Sequence, residues 1–103
     1  MRYGLKEKEL DIIVNILQKY IHDNDVVIFG SRSRGDFHRT SDIDLAITAK
    51  ISATELAKLR TLFEESSLIY TVDLVAMVSI TSTSFKESIN KDAKNLVIPN
   101  QQK

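Results

Sequence analysis

The chain has 103 residues, a length that predicts one domain around a single modest core. Lysine plus arginine number 14 and so do aspartate plus glutamate, so there is no global basic field of the kind that binds nucleic acid. Cysteine is absent, which excludes disulfides and thiolate metal sites. MRYGLKEKEL holds no apolar signal core and no run reaches membrane-spanning length, so a cytoplasmic protein without membrane contact is expected.

From about Leu5 to His22 the apolar positions Leu10, Ile13, Val14, Leu17 and Ile21 recur at helical spacing. Ile12, Ile16 and Tyr20 widen that stripe to about half the circumference, more than a surface helix needs. Two readings stay open: a helix wedged deeply into its own small domain, or one whose extra apolar surface meets a partner or a second copy. Asp23-Asn24-Asp25 then turns the chain into a short buried strand, Val26 to Phe29.

That strand ends at Gly30, where backbone can approach a ligand closely. Ser31 can cap a short helix or bond a phosphate oxygen, and the amides that follow would face the same anion. Arg32, Arg34 and Arg39 add positive charge, with Arg32 foremost among them. A Gly-Ser turn alone is weak evidence, since most such turns only connect elements. Here Asp42-Ile43-Asp44 follows, leading into Leu45, Ala46 and Ile47 in strand alternation. Asp42 and Asp44 then share one face, roughly 6 to 7 Å apart, while Ile43, Leu45 and Ile47 face the core. Acids are depleted from strand interiors, so this pair marks either a solvated face or a site for a divalent cation. Nearby, Asp36 pairs with an arginine, His38 lacks metal-ligand spacing, and Ser41 shapes the turn before Asp42. The stretch has neither the G-K-[ST] ending of a P-loop nor the further acids of an EF-hand.

Beyond the motif, Ser52-x-x-Glu55 is a capping box opening a helix to about Ser66, with Leu56, Leu59, Leu62 and Phe63 inward. Ile69 to Val78 reads as a strand interrupted by Asp73; beside the Asp42 strand it would bring three carboxylates together, a repulsion that bound Mg²⁺ or Mn²⁺ relieves. Ser84-x-x-Glu87 predicts a last helix with Phe85, Ile89, Ala93 and Val97 on one face. Pro99 stops the segment Leu96 to Ile98, and the final residues, about 99 to 103, form a polar tail. The order predicts an α+β domain in two layers: a short mixed sheet, helices covering one face, acids on the other.

Gly30-Ser31, Asp42-x-Asp44 after ten intervening residues, and Asp73 within an apolar strand resemble the nucleotidyltransferase superfamily that shares the polymerase β palm fold. GSRSRG followed by SDIDLAI resembles the minimal nucleotidyltransferases of that superfamily; Ser33 stands where many relatives carry alanine, a departure that touches nothing catalytic. The resemblance implies transfer of a nucleoside monophosphate from ATP to an acceptor hydroxyl, with Asp42, Asp44 and Asp73 holding two Mg²⁺ ions. Gly30, Ser31, Arg32 and Arg34 would bind the phosphates, and Asp73 would be a metal ligand or the general base. It also implies a partner: minimal nucleotidyltransferases are commonly antitoxins that adenylylate a tyrosine of a HEPN-domain toxin, in homo- or hetero-oligomeric assemblies. The missing substrate domain fits a protein acceptor. A non-catalytic antitoxin that occludes its toxin, and a small-molecule transferase of the aminoglycoside type, are the alternatives.

Overall fold

The computed structural model describes residues 2–22 and 25–96. The expected turn at Asp23 and Asn24, the role of Val97, the stop at Pro99 and the polar tail lie outside them.

Helix α1 spans Glu7–Leu17. Its start is fixed by Glu9, whose carboxylate accepts the Lys6 amide at 2.8 Å, and by the acids Glu7 and Glu9 in the first turn. The expected extension to His22 is instead a series of tighter turns, in which Lys19 N–H donates to Ile16 O and Tyr20 N–H to Leu17 O. Strand β1 (Val26–Phe29) leads through Gly30 into the one-turn helix α2 (Ser31–Arg34), and β2 (Ile43–Ile47) follows. Helix α3 (Ala53–Glu65) opens with a complete capping box, Ser52 Oγ accepting Glu55 N–H while Glu55 accepts Ser52 N–H. Strand β3 is Val72–Ala76, shorter than the apolar run around it because the chain tightens into a 3-10 turn at Met77–Ser79.

Helix α4 is Thr83–Asp92. Its cap is Ser82, whose hydroxyl accepts Phe85 N–H, rather than the expected Ser84, which lies in the first turn. The chain becomes extended at Ala93, so the expected helical face does not continue past Asp92; a two-residue strand β4 (Lys94–Asn95) forms instead.

The sheet order is β3-β2-β1-β4. β1 runs antiparallel to both neighbours, and β2 and β3 are parallel, joined by the α3 crossover. Period-two alternation then sorts the side chains. Val26, Ile28, Ile43, Leu45, Ile47, Leu74 and Ala76 enter the main core with Leu10, Ile13, Leu17, Leu59 and Phe63 from α1 and α3. Ile16 is buried there too and Ile12 packs against it, so the wide stripe of α1 is consumed within the protein, leaving Tyr20 as its exposed member. Of the two readings left open, that favours the helix wedged into its own domain.

The opposite face is not bare. Phe29 and Ala46 pack there with Ile89 of α4, and Val27, Val75, Met77 and Ile80 join them. α4 therefore covers part of the acid face, and helices lie on both sides of the sheet. At the edge, Arg60 of α3 donates from Nε and Nη2 to Leu74 O, at 3.1 and 2.8 Å, occupying a main-chain acceptor of β3. Among the described residues no helix is long and apolar enough to cross a membrane.

Candidate active site

β2 places Asp44 in the middle of the sheet, opposite Phe29 on β1 and Asp73 on β3. Neighbouring strands lie about 4.8 Å apart, so Asp44 and Asp73 are side by side at one level. Asp42 precedes the strand by one residue, because β2 begins at Ile43, and it is exposed, as is Asp73; Asp44 is half-buried. Burial pushes the Asp44 carboxyl up to about 6, helped by the charges of Asp73 and then Asp42, while Arg34 draws it down. The charges of Asp73 and Asp42 thus both reach Asp44.

Gly30 makes room for this carboxylate. Its backbone (φ 78°, ψ −157°) occupies a region open essentially to glycine alone, and a Cβ there would collide with Asp44 Oδ2. Gly30 itself is the N-cap of α2, so Ser31 is the first helical residue and its hydroxyl does not cap the helix as expected. The Ser33 and Arg34 amides donate to Gly30 O and that of Gly35 to Ser31 O. As at any helix start, the Ser31 and Arg32 amides have no partner within the helix. They follow Gly30, which lies against the Asp44 carboxylate.

The two arginines of α2 part ways. Arg32, foremost among the arginines in the sequence reading, is 2 % exposed. Its guanidinium donates to the main-chain oxygens of Tyr3 (2.9 Å), Ser41 (2.9 and 3.2 Å) and Arg39 (3.3 Å), and lies over the rings of Phe37 and Tyr70. Arg32 is therefore a clamp that holds the loop carrying Asp42 rather than a phosphate contact, since its donors are engaged inside the protein. Arg34 is exposed, bridges Asp92 at 2.8 Å and Asp36 at 3.2 Å, and is the arginine whose charge reaches Asp44. Asp92 and Asp36 hold it firmly protonated. Ser33 Oγ donates to Asp92 O and Lys94 Nζ to Ser33 O at 2.7 Å, tying α2 to the end of α4. None of these distant partners of Arg32 and Ser33 was announced by local spacing.

Three carboxylates without sulfur or imidazole are the donor chemistry of a hard divalent cation, and such a cation would relieve the repulsion that, after burial, raises Asp44. Among the described residues, no three acidic or imidazole side chains are drawn into a ready-made metal cage. What the fold offers is an open acidic face. A hollow of about 710 Å³ lined by Tyr20, Ala53, Ala57, Lys58 and Leu62 lies on the helical side, away from these acids.

The polymerase beta nucleotidyltransferase family matches residues 11–102. A protein of Haemophilus influenzae named "Probable protein adenylyltransferase MntA" is 40% identical over 89 residues, covering 84% of this chain and 77% of that protein. Among solved structures, a toxin–antitoxin with AMP-PNP superposes with a TM-score of 0.67 at 30% identity, over 89% of this chain and 75% of the other. The MntA-HpeT toxin–antitoxin, solved as a mutant with two aspartates two positions apart changed to glutamate, gives 0.65 at 28% identity, over 94% and 76%.

Proposed function

Because this chain belongs to the polymerase β nucleotidyltransferase family, we propose that it transfers AMP from ATP to a hydroxyl of a partner protein, acting as the antitoxin of a HEPN-domain toxin and modifying a tyrosine of it. The observation that carries this reading is the Asp44 carboxylate, set against Gly30 and beside Asp73 on the neighbouring strand, and pushed up by burial and by the charges of Asp73 and Asp42. Similarity to an adenylyltransferase and to a toxin–antitoxin holding AMP-PNP supports the donor and the kind of partner. The paired aspartates changed in the MntA-HpeT mutant have the spacing of Asp42 and Asp44.

In this reading Asp42, Asp44 and Asp73 would hold two Mg²⁺ ions. When bound, Mg²⁺ supplies charge stabilisation to the attacking and leaving oxygens of an in-line displacement. The chain's own groups do the rest. The Ser31 and Arg32 amides and the Ser31 hydroxyl hold the departing phosphates, and Arg34 offsets the negative charge growing there. Asp73, exposed on β3, faces the acceptor and takes its proton or completes the cation site. Arg32 keeps Ser41, and with it Asp42, in place. The setting is the cytoplasm.

Intact-mass spectrometry of a HEPN-domain toxin that forms a complex with this chain, after incubation with the chain, ATP and Mg²⁺, tests the reading. The partner is expected to gain whole AMP units, and the Asp42→Asn, Asp44→Asn double variant to add none while keeping its fold by circular dichroism. A double variant that still modifies the partner sinks the mechanism. An unchanged mass within a stable complex means that the antitoxin acts by occlusion.

A further inference from the structure

α4 brings an aromatic ring to the acid face that the chemistry above does not use. Phe85 is 40% exposed, and its ring meets that of Phe29 edge to face, with centroids 6.2 Å apart and planes at 73°. Phe29 is followed directly by Gly30 and is paired with Asp44, so Phe85 stands one ring away from both the phosphate turn and the central carboxylate. The other rings are committed elsewhere. Phe63 is buried in the main core, Tyr3 packs against that core and donates its hydroxyl to Asn95 O, Phe37 and Tyr70 lie against Arg32, and Tyr20 sits on the helical side.

We propose that Phe85 is the stacking surface for the base of the bound nucleoside triphosphate, with Phe29 holding its ring upright. The inference rests on the nucleotidyl-transfer reading and adds the half of the nucleotide that Gly30, Ser31 and the acids do not touch. Every base has a π-face, and a phenyl ring carries no polar group, so this contact supplies affinity without choosing among bases by hydrogen bonding. The larger area of a purine favours it over a pyrimidine. Selection between adenine and guanine must come from polar groups elsewhere.

The chain has no tryptophan, so Phe85→Trp introduces a single indole as a reporter. AMP-PNP and inorganic tripolyphosphate, each with Mg²⁺, are titrated against wild type, Phe85→Ala and Phe85→Trp, with thermal unfolding checking the fold of each. The proposal expects AMP-PNP to quench the indole while tripolyphosphate does not. It expects Phe85→Ala to bind AMP-PNP about tenfold more weakly, the size of one lost stacking contact, with unchanged tripolyphosphate affinity. Phe85→Trp restores AMP-PNP binding. Equal AMP-PNP affinity in wild type and Phe85→Ala, or an equal loss for both ligands, overturns the role of Phe85 and leaves the phosphate site standing. A wild type that binds neither ligand overturns the nucleotidyl-transfer reading beneath it as well.

Discussion

On one side of the sheet Leu45 and Ile47 are sealed beneath α1 and α3; on the other their sequence neighbours Asp44 and Ala46 have α4 for cover, and Asp44 stays half open. A residue step of one separates a position that stabilises the fold from one that opposes it. Fully burying a leucine or isoleucine contributes about 1.5 to 3 kcal/mol, whereas a desolvated carboxylate beside two others costs free energy. The helical face can carry that cost because its core draws on α1, β1, β2, α3 and β3 together. The acid face is thinly packed, and its chemistry is strained where its packing is thin.

Arg32 breaks this division most severely, since it starts from the acid side and ends buried like the core. Arg32→Met would leave main-chain oxygens of Tyr3, Arg39 and Ser41 without their donor, and should lower stability by about 3 kcal/mol in urea unfolding. A loss below about 1 kcal/mol would show that the clamp holds nothing that matters. Gly30→Ala comes next. The backbone strain costs about 2 kcal/mol, and the displaced Asp44 carboxylate should cut AMP transfer about a hundredfold in a single-turnover assay. Retained activity would mean that the acids tolerate a shift.

Asp44 sharpens the comparison through pH. Its folded carboxyl titrates near 6 against an ordinary 3.8, so protonation favours the folded chain. The contribution is full below about pH 4 and is lost as pH rises through about 6. Asp44→Asn should therefore be more stable than wild type at pH 8, on the order of 1 kcal/mol after solvent screening, and level with it near pH 4. Curves that run parallel across this range would refute the strained carboxylate.

Much of this arrangement was legible in residue order. The alternation of Ile43, Leu45 and Ile47 against Asp44 fixed which side of β2 meets the core, and Ser52 with Glu55 marked the start of α3. Gly30 stood out as a point where backbone can approach a ligand closely, although its positive-φ backbone and its closeness to Asp44 emerged only from the fold. The rest depended on partners remote in the chain. Arg32 and Arg34 look alike in sequence; one is buried because Tyr3, Phe37 and Tyr70 happen to surround it. Ser82 and Ser84 are equivalent caps until the helix chooses its first turn. Lys94 and Asn95 have no strand character, and form β4 because the edge of β1 lies open beside them.

Arg60 sets a condition on how other chains can approach. By occupying Leu74 O it interrupts the row of main-chain groups that an incoming strand would need, on the side of the sheet where Asp73 stands. Sheet extension is closed there, to copies of this chain and to foreign peptides alike. In the proposed reading, an acceptor protein would present its hydroxyl on a side chain reaching over β3, recognised by matched shapes rather than by a borrowed strand.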